Sequence, residues 1–219
     1  MEYLQLFDHT LFSAINSWNA PYFDRLMWLL AEKLVWIPMV LMLLWLSWRR
    51  GWQATLLIVA AIAVTIAISD QVASSLIKPL IERLRPSHDP SLADTIHLVN
   101  GYEGGLYGFV SSHAANAVGC ATLIILLFRN RMTTVAMTLW ALLVCYCRIY
   151  EGVHFPGDIL GGAIVGVAAA FLVYLIYRRL LFRYLRKRTL FDHFDSKFMS
   201  LSVYFNILIL CIIAVFPFF

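Results

Sequence analysis

The chain has 219 residues, 61% hydrophobic and 14% charged, with a net charge of +4 at pH 7. A soluble domain is roughly 45–50% apolar and about 25% charged, so too few polar residues remain here to cover a water-facing surface. Disorder is excluded as well, since it needs low hydrophobicity and high net charge; an integral membrane protein is expected, a single domain over residues 1–219.

In chain order, Leu4, Leu6, Phe7, Leu11, Phe12, Ile15 and Trp18 recur at helical spacing, with Glu2, Gln5, Asp8 and His9 between them. The pattern predicts an amphipathic helix in the membrane interface; a helix packed against the bundle without lipid contact fits the spacing equally. Its acidic residues stand where a secretory signal is basic, so no signal peptide is expected. Six apolar blocks follow: Leu26–Trp48 (interrupted by Glu32 and Lys33), Ala54–Ile77, Gly108–Phe128, Met132–Tyr150, Asp158–Tyr177 and Leu201–Phe219. Each is near the ~20 residues that cross a bilayer. The expected fold class is therefore all-α, a six-transmembrane-helix bundle with an N-terminal amphipathic interfacial helix. Cys120, Cys145, Cys147 and Cys211 all fall inside apolar stretches, where reduced thiols are expected.

The charges lie between apolar blocks rather than on one basic stripe, which argues against a nucleic-acid partner. Arg49, Arg50, Arg129, Arg131, Arg178, Arg179, Arg183, Arg186, Lys187, Arg188 and Lys197 fall in alternate loops and are eleven of the seventeen Lys and Arg. Excess basic residues mark the cytoplasmic face, and the run from Arg178 to Arg188 suits an anchor on anionic lipid. Both termini, the Lys78–Tyr107 loop and the Glu151–Gly157 loop should then lie on the opposite face.

Three reactive clusters belong to that opposite face: Lys78 with Arg85-Pro86, Ser111-Ser112-His113, and Arg148 with His154 and Asp158. Lys78, Arg85 and Arg148 suit a dianionic phosphoryl group, since arginine's planar fork binds two oxygens at once. Ser111 and Ser112 open a helix whose unpaired N–H groups favour an anion. His154 and Asp158 are four residues apart, so the carboxylate can fix the imidazole tautomer. Pro156 disfavours a helical Phe155, which places His154 before a helix and Asp158 in its first turn.

These clusters, residues 78–158, resemble the three signature motifs of the type 2 phosphatidic acid phosphatase superfamily: Lys-x6-Arg-Pro, Pro-Ser-Gly-His and Ser-Arg-x5-His-x3-Asp. The resemblance implies a phosphoric monoester or diphosphate hydrolase that needs no metal and no cofactor. It makes His154 the nucleophile that becomes phosphohistidine, Asp158 the group that orients it, and His113 the general acid and base. Lys78, Arg85, Ser111, Ser112 and Arg148 would hold the phosphoryl oxygens. Val110, Ser112 and Cys147 depart from the pattern, standing where it has proline, glycine and serine. No catalytic group is lost.

The function expected is a lipid phosphatase at the outer leaflet of an inner membrane, with its site facing the periplasm and membrane lipids as its surroundings. Undecaprenyl diphosphate, a lipid A phosphate and phosphatidylglycerol phosphate all fit as substrates. A non-hydrolytic lipid-phosphate transporter or scramblase using the same anion site is the alternative. Headgroup selection is expected from Arg83 and the His88–Gly108 loop, which reads either as a plain flexible loop or as a lid. Asp70, inside the second block, is a candidate partner for Lys78 or a simple structural group. His9, His88, His97 and His193 read as surface or interfacial residues.

Overall fold

Glu32 and Lys33 divide the first apolar block into two helices, α1 of the molecule having preceded them as Glu2–Asn16. The computed structural model describes residues 2–185 and 191–216. Among these the elements are α1, α2 (Pro21–Ala31), α3 (Ile37–Trp48), α4 (Trp52–Ile81), α5 (Ser112–Phe128), α6 (Arg131–Tyr150), α7 (Pro156–Leu185) and α8 (His193–Ile213). No strand is present among the described residues; Leu84 and Tyr107 form one isolated antiparallel bridge.

The expected span Leu26–Trp48 is thus not continuous. α2 and α3 meet at 70°, joined by a 3₁₀ turn over Leu34–Trp36. A break between two apolar helices frees carbonyls that need other partners, and side chains take them up. Trp36 Nε1 donates to Leu30 O at 3.1 Å, and Arg148 Nη2 to Ala31 O at 3.1 Å.

α4 runs beyond the expected Ala54–Ile77 and contains a π-helical stretch, Gln71–Ile77. The reason lies two residues on: a proline ring inside a helix clashes with the carbonyl four residues back, here Ser75, and widening the turn ahead of Pro79 relieves it. α7 also outlasts the expected Asp158–Tyr177, reaching Leu185. α8 starts before the expected Leu201 because Asp192 and Asp195 form a reciprocal capping box at His193.

Among the described residues, four helices (Trp52–Ile81, Arg131–Tyr150, Pro156–Tyr184 and His193–Ile213) are long and apolar enough to cross a membrane, and the bent α2–α3 pair, counted as one span, would bring the number to five. α5 has 17 residues, about 25 Å at 1.5 Å per residue, short of the ~30 Å hydrocarbon core. The span left out of this count is therefore the third expected one, Gly108–Phe128, while the last, Leu201–Phe219, is counted as α8 with positions 217–219 outside the described residues. The outer surface carries Leu56, Leu142, Leu160, Ile164 and Phe205, all more than half exposed. Such a shell suits lipid, not water.

α5 and α7 touch along their backbones. A β-carbon on Gly162 would stand 2.3 Å from Ser111 O, and one on Gly166 2.3 Å from Ala115 O. This small-x3-small stripe is what allows close helix approach. It brings the start of α5 against the start of α7, where Ser111 N donates to Asp158 O at 2.9 Å.

At the other end of the bundle, Arg50 pairs with Asp192 at 2.7 Å and with Asp195, and Asn130 Nδ2 lies 3.2 Å from His193 Nδ1. The loops after α3, α5 and α7 therefore share one end, as the basic residues predict. Arg186, Lys187 and Arg188 lie outside the described residues.

α1 turns a stripe of Asp8, Phe12 and Asn16 inward and leaves Tyr3, Leu6 and Phe7 exposed. It packs on the bundle through that stripe and presents an apolar face outward.

Candidate active site

Pro156 opens α7, and the four residues before it form a buried turn that holds His154 outside the helix. His154 and Asp158 are both 0% exposed. Nδ1 of His154 lies 3.3 Å from Asp158 Oδ2, which also accepts the Phe155 N–H at 3.0 Å. The sequence spacing anticipates this pair.

The other ring nitrogen, Nε2, lies 3.1 Å from Arg85 Nη1, which also donates to Val153 O at 3.1 Å. Burial is the main force holding the His154 imidazole well below its ordinary pKa, and the positive charges of Arg85, Lys78 and Arg148 add to it.

Arg85 is itself placed by the backbone, its N–H donating to Leu106 O at 3.1 Å while Gly108 N donates to Arg83 O at 2.8 Å. This brings two glycines of the 101–108 loop onto the site. Gly104, at φ +71°, lies over the guanidinium, and a β-carbon on Gly108 would stand 2.8 Å from Asp158 Oδ2. The loop is thus a wall of the site, at least along this stretch. Burial lowers Arg85 from the ordinary guanidinium pKa.

Arg148 lies in the last turn of α6, 5% exposed. Besides Ala31 O it meets Glu151 Oε2 at 3.2 Å, an ion pair without hydrogen-bond alignment. The Nε atoms of Arg85 and Arg148 are buried with no hydrogen-bond partner among the described residues, so each guanidinium keeps a donor uncommitted. Burial pushes the Glu151 carboxyl up to about 7, against the pull of Arg148.

Ser111 caps α5, its hydroxyl accepting from Ala114 N at 3.3 Å. The Ser111 N–H is bonded to Asp158 O; accepting from Ala114 N leaves the Ser111 hydroxyl proton to donate, and the N–H groups of Ser112 and His113 have no acceptor within the helix. His113 lies within electrostatic reach of Arg148, His154, Lys33 and Arg85. Lys78, at the end of the π stretch, lies within reach of Arg85, Asp158 and Asp70. The eight residues expected from the sequence therefore gather at one end of the bundle. Among the described residues, no three His, Cys, Asp or Glu side chains come together as a metal-ligand set.

Arg83 departs from expectation. Its Nη1 donates to Asp158 Oδ1 at 3.0 Å and its Nη2 to Asp8 Oδ2 at 2.6 Å, with the guanidinium 4.3 Å over the Phe155 ring. It is committed to carboxylates behind the site rather than offered to a headgroup. Sequence reasoning also missed Asp8, whose spacing to Phe12 and Asn16 was its one legible signal, and His9, which stacks on Phe155 at 4.6 Å.

A helical bundle with Arg85 against a buried histidine and Arg148 and Lys78 nearby has the groups that a phosphate-handling membrane enzyme needs. The chain belongs to the PAP2 superfamily, whose sequence pattern matches residues 53–182. It is 39% identical over 182 residues to the lipid A 4'-phosphatase of Bacteroides thetaiotaomicron, covering 82% of this chain and 81% of the relative. To the lipid A 4'-phosphatase of Porphyromonas gingivalis it is 38% identical over 180 residues, covering 81% of this chain and 75% of the relative. Its fold is similar to that of Aquifex aeolicus LpxE, with a TM-score of 0.60 at 24% identity, over 76% of this chain and 93% of that one. The protein is a membrane lipid phosphatase.

Proposed function

We propose that the chain removes a phosphate from the sugar headgroup of a lipid A-type lipid through a phosphohistidine at His154, at the periplasmic leaflet of the inner membrane. The observation that carries the chemistry is the two-sided placement of His154 between Asp158 and Arg85. The names of the two bacterial relatives favour lipid A over the other two candidate lipids.

In this reading Lys78, Arg85 and Arg148, with the first N–H groups of α5, hold the phosphoryl oxygens. His154 Nε2 attacks phosphorus, the ester P–O bond breaks, and His113 gives its proton to the departing sugar oxygen. Asp158 supports the positive imidazole. Water then attacks phosphorus and gives its proton to His113 as the P–N bond breaks, releasing phosphate and restoring both histidines. All of these steps use protein groups alone.

Phosphate release by the purified full chain in detergent tests this, with lipid A, undecaprenyl diphosphate and phosphatidylglycerol phosphate compared side by side. Lipid A is expected to lose one phosphate fastest, and His154→Ala or His113→Ala to stop release without unfolding the protein. Release from none of the three would favour a transporter or scramblase. For orientation, a cysteine placed in the Asp89–Gly105 loop should react with an impermeant thiol reagent outside intact cells; labelling only after permeabilisation would invert the proposed topology.

A further inference from the structure

We propose that Asp8, on α1, is a positioning residue for the reaction: acting through Arg83, it sets the carboxylate that orients His154. This rests on the reading of His154 as nucleophile and adds a residue from outside the matched region, 53–182.

The connection is continuous. Asp8 is 8% exposed, and both its oxygens are engaged: Oδ1 accepts from Gly157 N at 2.7 Å and Oδ2 from Arg83 Nη2 at 2.6 Å. The second arm of the same guanidinium reaches Asp158 Oδ1 at 3.0 Å. Asp158 Oδ2 is left to His154 Nδ1 and Phe155 N. The two oxygens of Asp158 thus divide their work, one facing the nucleophile and one facing Arg83.

The charges explain why a second carboxylate is useful. A guanidinium paired with Asp158 alone would draw that carboxylate's charge away from the imidazole as it becomes positive. Shared between two carboxylates, Arg83 holds Asp158 in place while leaving it more anionic; its planar fork suits two such partners at once. The approach is close, because a β-carbon on Gly157 would stand 2.8 Å from Asp8 Oδ2. Phe12 packs edge-on to Phe155 at 5.3 Å, so α1 seats the turn beside the nucleophile by packing as well as by charge.

The test is steady-state kinetics of the full-length protein in detergent, on the lipid the wild type hydrolyses. Asp8→Asn is isosteric and keeps an oxygen for Gly157 N–H; it is expected to lower kcat about tenfold with KM unchanged within twofold. Arg83→Met should lower kcat at least as much, and the double variant no further than Arg83→Met alone, because both act through one path. Arg83→Lys, which keeps the charge and loses the fork, should fall between. If Asp8→Asn does not fold, Gly157→Ala, which pushes on Oδ2 from the other side, must show the same kcat loss. A kcat within twofold of wild type for the folded variant, or losses that multiply in the double variant, overturns the proposal while the phosphatase reading stands. Turnover surviving in His154→Ala overturns both.

Discussion

Nε2 of His154 stands 3.1 Å from Nη1 of Arg85. A guanidinium only donates, so Nε2 is the acceptor, the proton sits on Nδ1, and Nδ1 points at Asp158. The lone pair faces the cation that would hold a phosphate. Asp158→Asn should spoil this, because an amide can turn its NH₂ towards Nδ1 and favour the other tautomer. A loss of kcat on the order of 10³-fold or more is expected, as for the comparable carboxylate of serine protease triads. Steady-state phosphate release checks it, and a loss under tenfold would count against the tautomer argument.

The contact between α5 and α7 has no room for a methyl group. Gly162→Ala places a β-carbon 2.3 Å from Ser111 O, whereas Gly105→Ala meets nothing within 4 Å. Overpacking of this kind costs roughly 1–3 kcal/mol. Gly162→Ala should lower Tm and activity together and Gly105→Ala should leave Tm unchanged; equal Tm values for the two would contradict the close packing.

Glu151 gives a pH signature. Its pKa rises from 4.5 to about 7 in the folded protein, so the folded state binds the proton more tightly than the unfolded one. That contribution to stability is complete below about 4.5 and lost as pH rises through about 7. Glu151→Gln is uncharged throughout. Its Tm relative to wild type should therefore be higher at pH 8 than at pH 5, read by thermal melts in one detergent. A difference that is flat or reversed across that range would refute the assignment.

At the opposite end of the bundle, Asp195 is 0% exposed, caps α8 and pairs with Arg49 and Arg50. Asp195→Asn should lower stability by about 1–3 kcal/mol and leave kcat per folded molecule unchanged. A selective fall in kcat would link this end to the chemistry.

The contrast between these residues shows what a sequence displays. His154 and Asp158 are legible because they are four apart across a proline, and local spacing fixes their meeting. The break at Glu32 and Lys33 shows as charge in an apolar block, yet the 70° bend depends on Arg148 and Trp36 taking up the freed carbonyls. Arg83 misleads on sequence alone. Beside Arg85 it reads as a headgroup-selecting residue, and its partners lie 75 residues away in each direction. α1 is ambiguous for a related reason: its inward stripe is partly polar, so hydrophobic periodicity marks the wrong face as buried. Gly162-x3-Gly166 is a readable packing signal, but it does not say which helix it meets.

Because Gly162 and Gly166 let α5 and α7 meet backbone to backbone, there is no cushion of side chains between them to slide or repack. Ser111 and Asp158, one at the head of each helix, form in effect a single rigid block. The bent α2–α3 elbow is tied down separately, its Ala31 carbonyl held by Arg148 of α6. The fold thus sets its tightest helix contact directly behind the buried His154–Asp158 pair.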